Sequence, residues 1–179
     1  MMLEFIFAGF GGQGVMLMGQ LFAYSGMYEG KNVTYFPSYG PEMRGGTANC
    51  SVVVSDETVA SPVISEPSVV VAMNRPSMEK FEKTIKPGGT LFYNSSLIDI
   101  KPTRTDIKVI PIPANDIAIE LGNIRVANMV VTGAILKSTG VVNMETLMKV
   151  LQEKVLTGKK KELVTINRNA LEKGMDLVG

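Results

Sequence analysis

The sequence is organised around one glycine-rich stretch near its start, Gly9-Phe10-Gly11-Gly12-Gln13-Gly14. The apolar run 3–8 before it predicts a strand, and residues 15–28 after it predict a helix. The glycines have the G-x-G-x-x-G spacing that allows a sharp turn, a close approach to phosphate and tight helix packing. The stretch therefore predicts an α/β fold with a Rossmann-like first βαβ unit.

Two interpretations of this turn follow from its chemistry. The helix that begins after Gly14 offers free amides to an anion, which suits a nucleotide or a coenzyme. In this interpretation the candidate cofactor-binding residues are Gly9, Gly11, Gly12, Gln13 and Gly14. Alternatively, the glycines only allow close packing at the first crossover of the sheet or against another chain.

A dinucleotide site of the Rossmann type needs a second element, which is an acidic residue at the end of the second strand. Here the second strand, predicted from residue 33 and parallel to the first, ends in Phe36-Pro37-Ser38. Glu29 lies near the expected spacing, but it belongs to the end of the preceding helix. The sequence therefore disfavours an NAD site.

The remaining pattern predicts one domain over residues 1–179, with a three-layer α/β/α architecture and a mostly parallel sheet. Antiparallel pairing is expected around Thr47 to Ser55, and residues 68–73 predict a central strand buried on both faces. Regular structure is predicted to be absent from Pro37 to Gly46. Four later helices are predicted over residues 116–121, 127–137, 144–155 and 161–173, with Asn115 and Asn143 as helix N-caps.

Composition limits the classes of function. Eighteen basic and seventeen acidic residues nearly cancel, and the only dense basic run is Lys159-Lys160-Lys161, so we expect no nucleic-acid partner. No apolar stretch approaches the length of a membrane span, and the first residues lack the basic region of a signal peptide. We therefore expect a cytoplasmic protein without membrane contact.

The chain has one cysteine, Cys50, and no histidine. A single thiol cannot form an internal disulfide or hold an iron–sulfur cluster alone, and histidine-ligated metal sites are excluded. We therefore predict no metal-binding residues and no catalytic residues in this chain. Cys50 lies in an apolar strand and is interpreted as a buried small hydrophobe.

A second candidate region follows the second strand, Ser38-Tyr39-Gly40-Pro41-Glu42-Met43-Arg44-Gly45-Gly46. It should emerge at the same carboxyl edge of the sheet as the glycine turn, where open α/β sheets bind ligands. The guanidinium of Arg44 could hold a phosphate or a carboxylate between the flanking glycines, or it could form a surface ion pair with Glu42. The cofactor-binding candidates here are Tyr39, Glu42, Arg44, Gly45 and Gly46.

These segments together resemble the gamma subunit of 2-oxoacid:ferredoxin oxidoreductases. The resemblance covers nearly the whole chain and is most specific in the S-Y-G-P-E-M-R-G-G segment at residues 38–46. It also includes Lys86-Pro87-Gly88-Gly89 and Asn128-Met129-Val130-Val131-Thr132-Gly133-Ala134. In this family the gamma chain corresponds to one α/β domain of the single-chain pyruvate:ferredoxin enzyme.

The resemblance implies a reaction and a set of partners. The family oxidises and decarboxylates a 2-oxoacid, such as pyruvate or 2-oxoglutarate, to an acyl-CoA and reduces ferredoxin. Thiamine diphosphate, iron–sulfur clusters and coenzyme A are expected in the assembled complex with alpha, beta and ferredoxin-like delta subunits. This chain is expected to bind none of them alone, and its two loops are expected to face the active site or a coenzyme A path.

Two other functions remain open at the level of sequence. The chain could be a free-standing coenzyme- or nucleotide-binding domain, or a structural interaction module. As an isolated chain it is also a candidate homo-oligomer, and on the leading interpretation it would be inactive by itself.

Overall fold

The structure is a computed structural model that describes residues 1–39, 47–158 and 161–179. Within these residues there are six strands and six helices. Strands and helices alternate in the first part of the chain, and helices predominate in the last part, as the sequence predicts. The strands are β1 (Met2–Phe10), β2 (Asn32–Tyr39), β3 (Thr47–Ser55), β4 (Val69–Ala72), β5 (Thr90–Asn94) and β6 (Lys108–Ile112). The helices are α1 (Val15–Tyr28), α2 (Arg75–Phe81), α3 (Ala114–Glu120), α4 (Ala127–Thr139), α5 (Met144–Lys154) and α6 (Lys161–Asp176). Short 3₁₀ turns cover Glu82–Thr84 and Ile124–Val126.

The six strands form one sheet in the order β2-β3-β1-β4-β5-β6. β1, β4, β5 and β6 pair in parallel, whereas β3 is antiparallel to both of its neighbours, β1 and β2. The mostly parallel sheet and the antiparallel pairing at residues 47–55 are therefore confirmed. β2 runs in the direction of β1, as predicted, but β3 lies between them.

Helices cover both faces of the sheet, but unequally. Along β1, Phe5 and Phe7 face the larger core with α1 and α4, while Ile6 and Ala8 face a smaller core under α2. The rings of Phe5, Phe7 and Phe22 stack with centroids 5.5–5.8 Å apart and anchor α1 on the sheet. α5 packs against α1, and α6 packs against α4, so the first face carries two tiers of helices.

Two local predictions differ from the structure, and a third is confirmed in position but not in its hydrogen bond. Regular structure does not stop at Pro37, because β2 continues through Tyr39; an edge strand tolerates a proline that cannot donate to a ladder. Asn115 is not an N-cap but lies inside α3, which begins directly after Pro113 with its fixed φ of −77°. Asn143 occupies the N-cap position of α5, but its side chain bonds Glu29 instead of the helix.

Other local predictions are confirmed. α1 has the predicted bounds, and β4 is central and buried on both faces. Cys50 is fully buried, and burial raises the pKa of its thiol to about 12. Among the described residues, no helix combines the length and apolar character that a membrane crossing requires.

Candidate functional site

The candidate site lies at the carboxyl edge of the parallel strands. The glycine turn follows β1 there, and the end of β4 lies beside it, since Met73 donates its backbone N–H to the carbonyl of Ala8 at 2.8 Å. The N-terminal end of α4 completes the edge, because Ala127 and Asn128 line the same cavity as the turn. This is the position at which open α/β sheets bind ligands.

The glycines of the turn have different physical roles. A Cβ at Gly9 would lie 2.9 Å from both Met73 and Val15, so this glycine allows close packing at the end of β1. Gly14 has φ of +76° and abuts Asn128, whose Cγ would be 2.8 Å from an added Cβ. Gly12 also has positive φ, at +97°, but an added Cβ there would meet nothing within 4 Å. Of these three glycines, only Gly12 faces open space.

The side chain of Gln13 stabilises the turn through three hydrogen bonds. Its side-chain oxygen accepts hydrogen bonds from the Phe10 N–H at 2.7 Å and from the Asn74 amide at 3.3 Å. Its amide nitrogen donates to the carbonyl of Met73 at 3.0 Å. The side chain of Gln13 thus fixes the turn against the end of β4. This is a positioning role, so contact with a ligand would be made by other groups at this edge.

Two helices begin at this edge without acidic residues. α1 starts after Gly14 with no side-chain cap and no acidic residue in its first turn, and α4 starts after Val126 in the same manner. α1 therefore presents uncapped backbone N–H groups with the positive end of its dipole. α4 instead continues from the 3₁₀ turn Ile124–Val126, where the Ala127 N–H donates to the carbonyl of Ile124 and Asn123 caps the start of the turn. The start of α1 favours an anion.

A cavity of about 200 Å³ lies between the two helix starts. The residues that line it are Gly12, Gln13, Met73, Asn115, Ile124, Arg125, Ala127 and Asn128. Arg125 is exposed, and within the described part of the chain its guanidinium forms no ion pair. An exposed guanidinium near the uncapped start of α1 has the chemistry that suits a phosphate or a carboxylate.

The structure places the predicted residues as follows. Gly9 lies near the end of β1, and Gly11, Gly12, Gln13 and Gly14 form the turn that follows the strand at this edge. The backbone of Tyr39 reaches the same edge, because Ala48 pairs with Gly9 on one side and with Tyr39 on the other. Two strand spacings of about 4.8 Å separate them, or roughly 10 Å. Glu42, Arg44, Gly45 and Gly46 lie outside the described residues.

Sequence reasoning did not select Arg125 or Asn128 as site residues. Arg125 is placed by a local cap, because the Asn123 side chain accepts from the Arg125 N–H at 3.0 Å and starts the short turn before α4. Asn128 is buried against Gly14. The only signal for Asn128 was its position at the start of the family segment 128–134, and Arg125 had none.

Comparison with known proteins agrees with the resemblance seen in the sequence. Residues 4–177 match the family described as Pyruvate ferredoxin/flavodoxin oxidoreductase. Ketoisovalerate oxidoreductase subunit VorA of Methanothermobacter marburgensis is 38% identical over 170 residues, which are 94% of this chain and 35% of VorA. 2-Oxoglutarate synthase subunit KorC of Methanocaldococcus jannaschii is 32% identical over 177 residues, 97% of this chain and 92% of KorC. The chain thus spans about a third of VorA and nearly all of KorC.

Solved structures show the same fold. The gamma subunit of the keto/oxoacid ferredoxin oxidoreductase from Geobacter sulfurreducens superposes with a TM-score of 0.82 at 29% identity, covering 98% of this chain and 97% of that one. The 2-oxoglutarate:ferredoxin oxidoreductase of Magnetococcus marinus superposes with a TM-score of 0.90 at 29% identity, and the match covers 98% of this chain and 31% of that longer chain. The chain therefore belongs to the pyruvate ferredoxin/flavodoxin oxidoreductase family.

Proposed function

We propose that this chain is the gamma subunit of a multi-subunit 2-oxoacid:ferredoxin oxidoreductase. The complex would decarboxylate a 2-oxoacid oxidatively to an acyl-CoA and pass the electrons to ferredoxin. The observation that carries the proposal is the match over almost the full length of both chains to the Geobacter gamma subunit. VorA and the Magnetococcus enzyme contain a similar segment within a longer chain, which supports a domain that works beside others.

The cofactors that the family implies are assigned to the other subunits. One buried cysteine and no histidine give this chain no ligand set for an iron–sulfur cluster. Within residues 1–39, 47–158 and 161–179, no three metal-ligating side chains come together. The proposal therefore assigns the clusters and thiamine diphosphate to the alpha, beta and ferredoxin-like delta subunits, and contact with ferredoxin to those partners.

For this chain itself we propose contact with coenzyme A, which supplies the thiol that accepts the acyl group. The open backbone at Gly12, the start of α1 and the guanidinium of Arg125 fit a phosphate group of that coenzyme. A cavity of about 200 Å³ is below the roughly 300–1,000 Å³ typical of whole-ligand sites, so it would hold only one end of the molecule. The rest would extend toward a partner subunit.

The role of Arg125 can be tested in the assembled complex. Arg125→Ala removes a charge-assisted hydrogen bond, typically about 1.5–3 kcal/mol. We expect the KM for coenzyme A to rise about tenfold or more, with the KM for the 2-oxoacid and the subunit stoichiometry unchanged. The matched control is Arg75→Ala, because Arg75 is also exposed but lies on α2 and pairs with Glu79 at 3.0 Å.

Two outcomes separate the parts of the proposal. An unchanged KM for coenzyme A in Arg125→Ala would reject the anion site but leave the subunit assignment intact. Purification of the chain from its host without thiamine-diphosphate and iron–sulfur subunits would reject the assignment itself. We also propose that the complex is cytoplasmic. Cell fractionation with antibodies against the chain can test this location.

A further inference from the structure

Carboxamide side chains lie at the carboxyl ends of three parallel strands. Gln13 follows β1, Asn74 follows β4 and Asn94 ends β5, and these strands are neighbours in the sheet. Asn74 and Asn94 are buried, with 4% and 0% of their surface exposed. A buried carboxamide has both a donor and an acceptor to satisfy, so the hydrogen bonds of these side chains can be followed from one residue to the next.

The hydrogen bonds of Asn74 end inside the protein. Its Oδ1 accepts from the Ser77 N–H at 2.9 Å, and its Nδ2 donates to Oε1 of Gln13 at 3.3 Å. The amide of Gln13 then donates to the carbonyl of Met73 at 3.0 Å. The last donor of this series is therefore satisfied by a backbone carbonyl, which agrees with the positioning role of Gln13.

The hydrogen bonds of Asn94 follow the same pattern but end at the cavity. The Ser96 N–H donates to Oδ1 of Asn94 at 3.3 Å, and Nδ2 of Asn94 donates to Oδ1 of Asn115 at 2.8 Å. A backbone N–H can only donate, so it fixes which atom of Asn94 is the acceptor and, in turn, which atom of Asn115 is the acceptor. The remaining atom, Nδ2 of Asn115, has no acceptor among the described residues, and Asn115 lines the cavity beside Gly12.

A second carboxamide in the cavity wall is also unpaired. The backbone carbonyl of Asn128 accepts from Thr132, but the side chain of Asn128 forms no hydrogen bond with any residue that the structure describes. Asn128 is only 5% exposed, and a buried amide without a hydrogen bond costs stability, so its place in a cavity wall indicates a ligand. The described residues that line the cavity include the cation Arg125 and no carboxylate.

We propose that the series Ser96–Asn94–Asn115 fixes Asn115 as a hydrogen-bond donor to the anion in this cavity. The inference rests on the function proposed above, in which the anion is a phosphate group of coenzyme A. Asn115 contacts the phosphate directly, whereas Asn94 is a positioning residue that acts through Asn115. Because Asn115 and Arg125 both donate, the cavity selects oxygens that accept hydrogen bonds, as an ionised phosphate does, over groups that must donate, such as an amine.

Calorimetric titration of the purified complex with coenzyme A, without 2-oxoacid, tests this inference. Asn115→Asp keeps the acceptor for Asn94 but replaces the donor with a charged oxygen, so the Kd for coenzyme A should rise at least about tenfold. This change places an acid in the first turn of α3, which favours the helix, so the variant should fold. Asn115→Ala removes the donor without adding charge and should raise the Kd about three- to tenfold.

The matched control is Asn143→Ala, which should leave the Kd for coenzyme A unchanged. Asn143 is an exposed asparagine at the start of α5, and its amide donates to Glu29 at 3.1 Å instead of lining the cavity. If Asn143→Ala raises the Kd as much as Asn115→Ala does, the effect is not specific to the cavity and the inference is overturned.

The positioning role of Asn94 is tested by combining substitutions. Asn94→Ala should raise the Kd about threefold, because Asn115 is then free to rotate. The double variant Asn94→Ala/Asn115→Ala should bind no more weakly than Asn115→Ala, since Asn94 acts only through Asn115. Effects that multiply in the double variant would overturn the positioning role.

Two further results separate this inference from the proposed function. A Kd that is raised by Arg125→Ala but unchanged by both Asn115 variants would overturn the donor role of Asn115 and leave the anion site intact. A Kd that is unchanged by all three variants would reject the anion site and this inference together.

Discussion

Replacing Gly14 with alanine is expected to destabilise the protein much more than the same change at Gly12. Both glycines have positive φ, +76° at Gly14 and +97° at Gly12, so alanine is strained at either position. The backbone strain is about 1–2 kcal/mol in each case. The two sites differ in their surroundings, because a Cβ at Gly14 would lie 2.8 Å from Cγ and 3.1 Å from Cβ of Asn128, whereas one at Gly12 meets nothing within 4 Å.

The expected difference between the two variants follows from this contact. Forcing extra volume into a packed contact typically costs about 1–3 kcal/mol. The lost flexibility of the unfolded chain favours both variants by about 0.4–1 kcal/mol and largely cancels in the comparison. We therefore expect Gly14→Ala to be about 1–3 kcal/mol less stable than Gly12→Ala in urea denaturation.

A double-mutant cycle isolates the contact from the strain. Asn128→Ala removes the Cγ and the amide group that oppose the added methyl group, so the double variant Gly14→Ala/Asn128→Ala should recover at least about 1 kcal/mol relative to additivity. Equal stabilities for Gly14→Ala and Gly12→Ala, or an additive double variant, would refute the conclusion that Gly14 is required by the packing of α4.

Three further changes have defined outcomes. Gly133→Ala should destabilise the fold by several kcal/mol in thermal denaturation, because its Cβ would lie 2.7 Å from the backbone carbonyl carbon of Leu171, which cannot move aside; a gain in stability would contradict this packing. The N-terminal amine and Lys31 lower the pKa of the Asp56 carboxyl to about 2, so Asp56→Asn should be less stable than wild type at neutral pH. A carboxyl group whose pKa is lowered by folding stabilises the protein fully above its ordinary pKa of 3.8 and loses this effect as the pH falls to the lowered value. The stability difference between wild type and Asp56→Asn should therefore disappear as the pH falls from 3.8 to about 2. The Cys50 thiol, with its pKa raised to about 12 by burial, should react with iodoacetamide only after unfolding, and rapid labelling of the native protein would contradict its burial.

Local patterns predicted the elements whose signals are complete within a few residues. The bounds of α1 follow from the glycine turn before it and from Glu29-Gly30 after it, where Gly30 adopts φ of +76°. The uninterrupted apolar run of β4 identified a strand buried on both faces. The absence of histidine and of a second cysteine limits the chemistry of the chain through composition alone, because no fold can supply a missing ligand.

Predictions were wrong where a residue's role depended on its position in the sheet. A proline ends a strand where its missing N–H would be needed for a hydrogen bond to a neighbouring strand. Pro37 lies in an edge strand, where that hydrogen bond is not needed. Asn115 is of a residue type that commonly caps helices, but its side-chain oxygen accepts a hydrogen bond from the Asn94 amide at 2.8 Å, at the end of β5. Neither outcome can be inferred from neighbours in sequence.

The sequence by itself determined the α/β class, the strand–turn–helix start and the family, because these depend on spacing and residue type along the chain. Only the tertiary structure decided what the glycines contact. It assigned Gly14 to packing against Asn128, Gln13 to holding the turn closed, and Gly12 to the open surface. It also brought Arg125, more than a hundred residues later, to the same cavity. The physical reason is that a site at the end of a sheet is assembled from strand ends and helix starts that are distant in sequence, so its composition is fixed by packing.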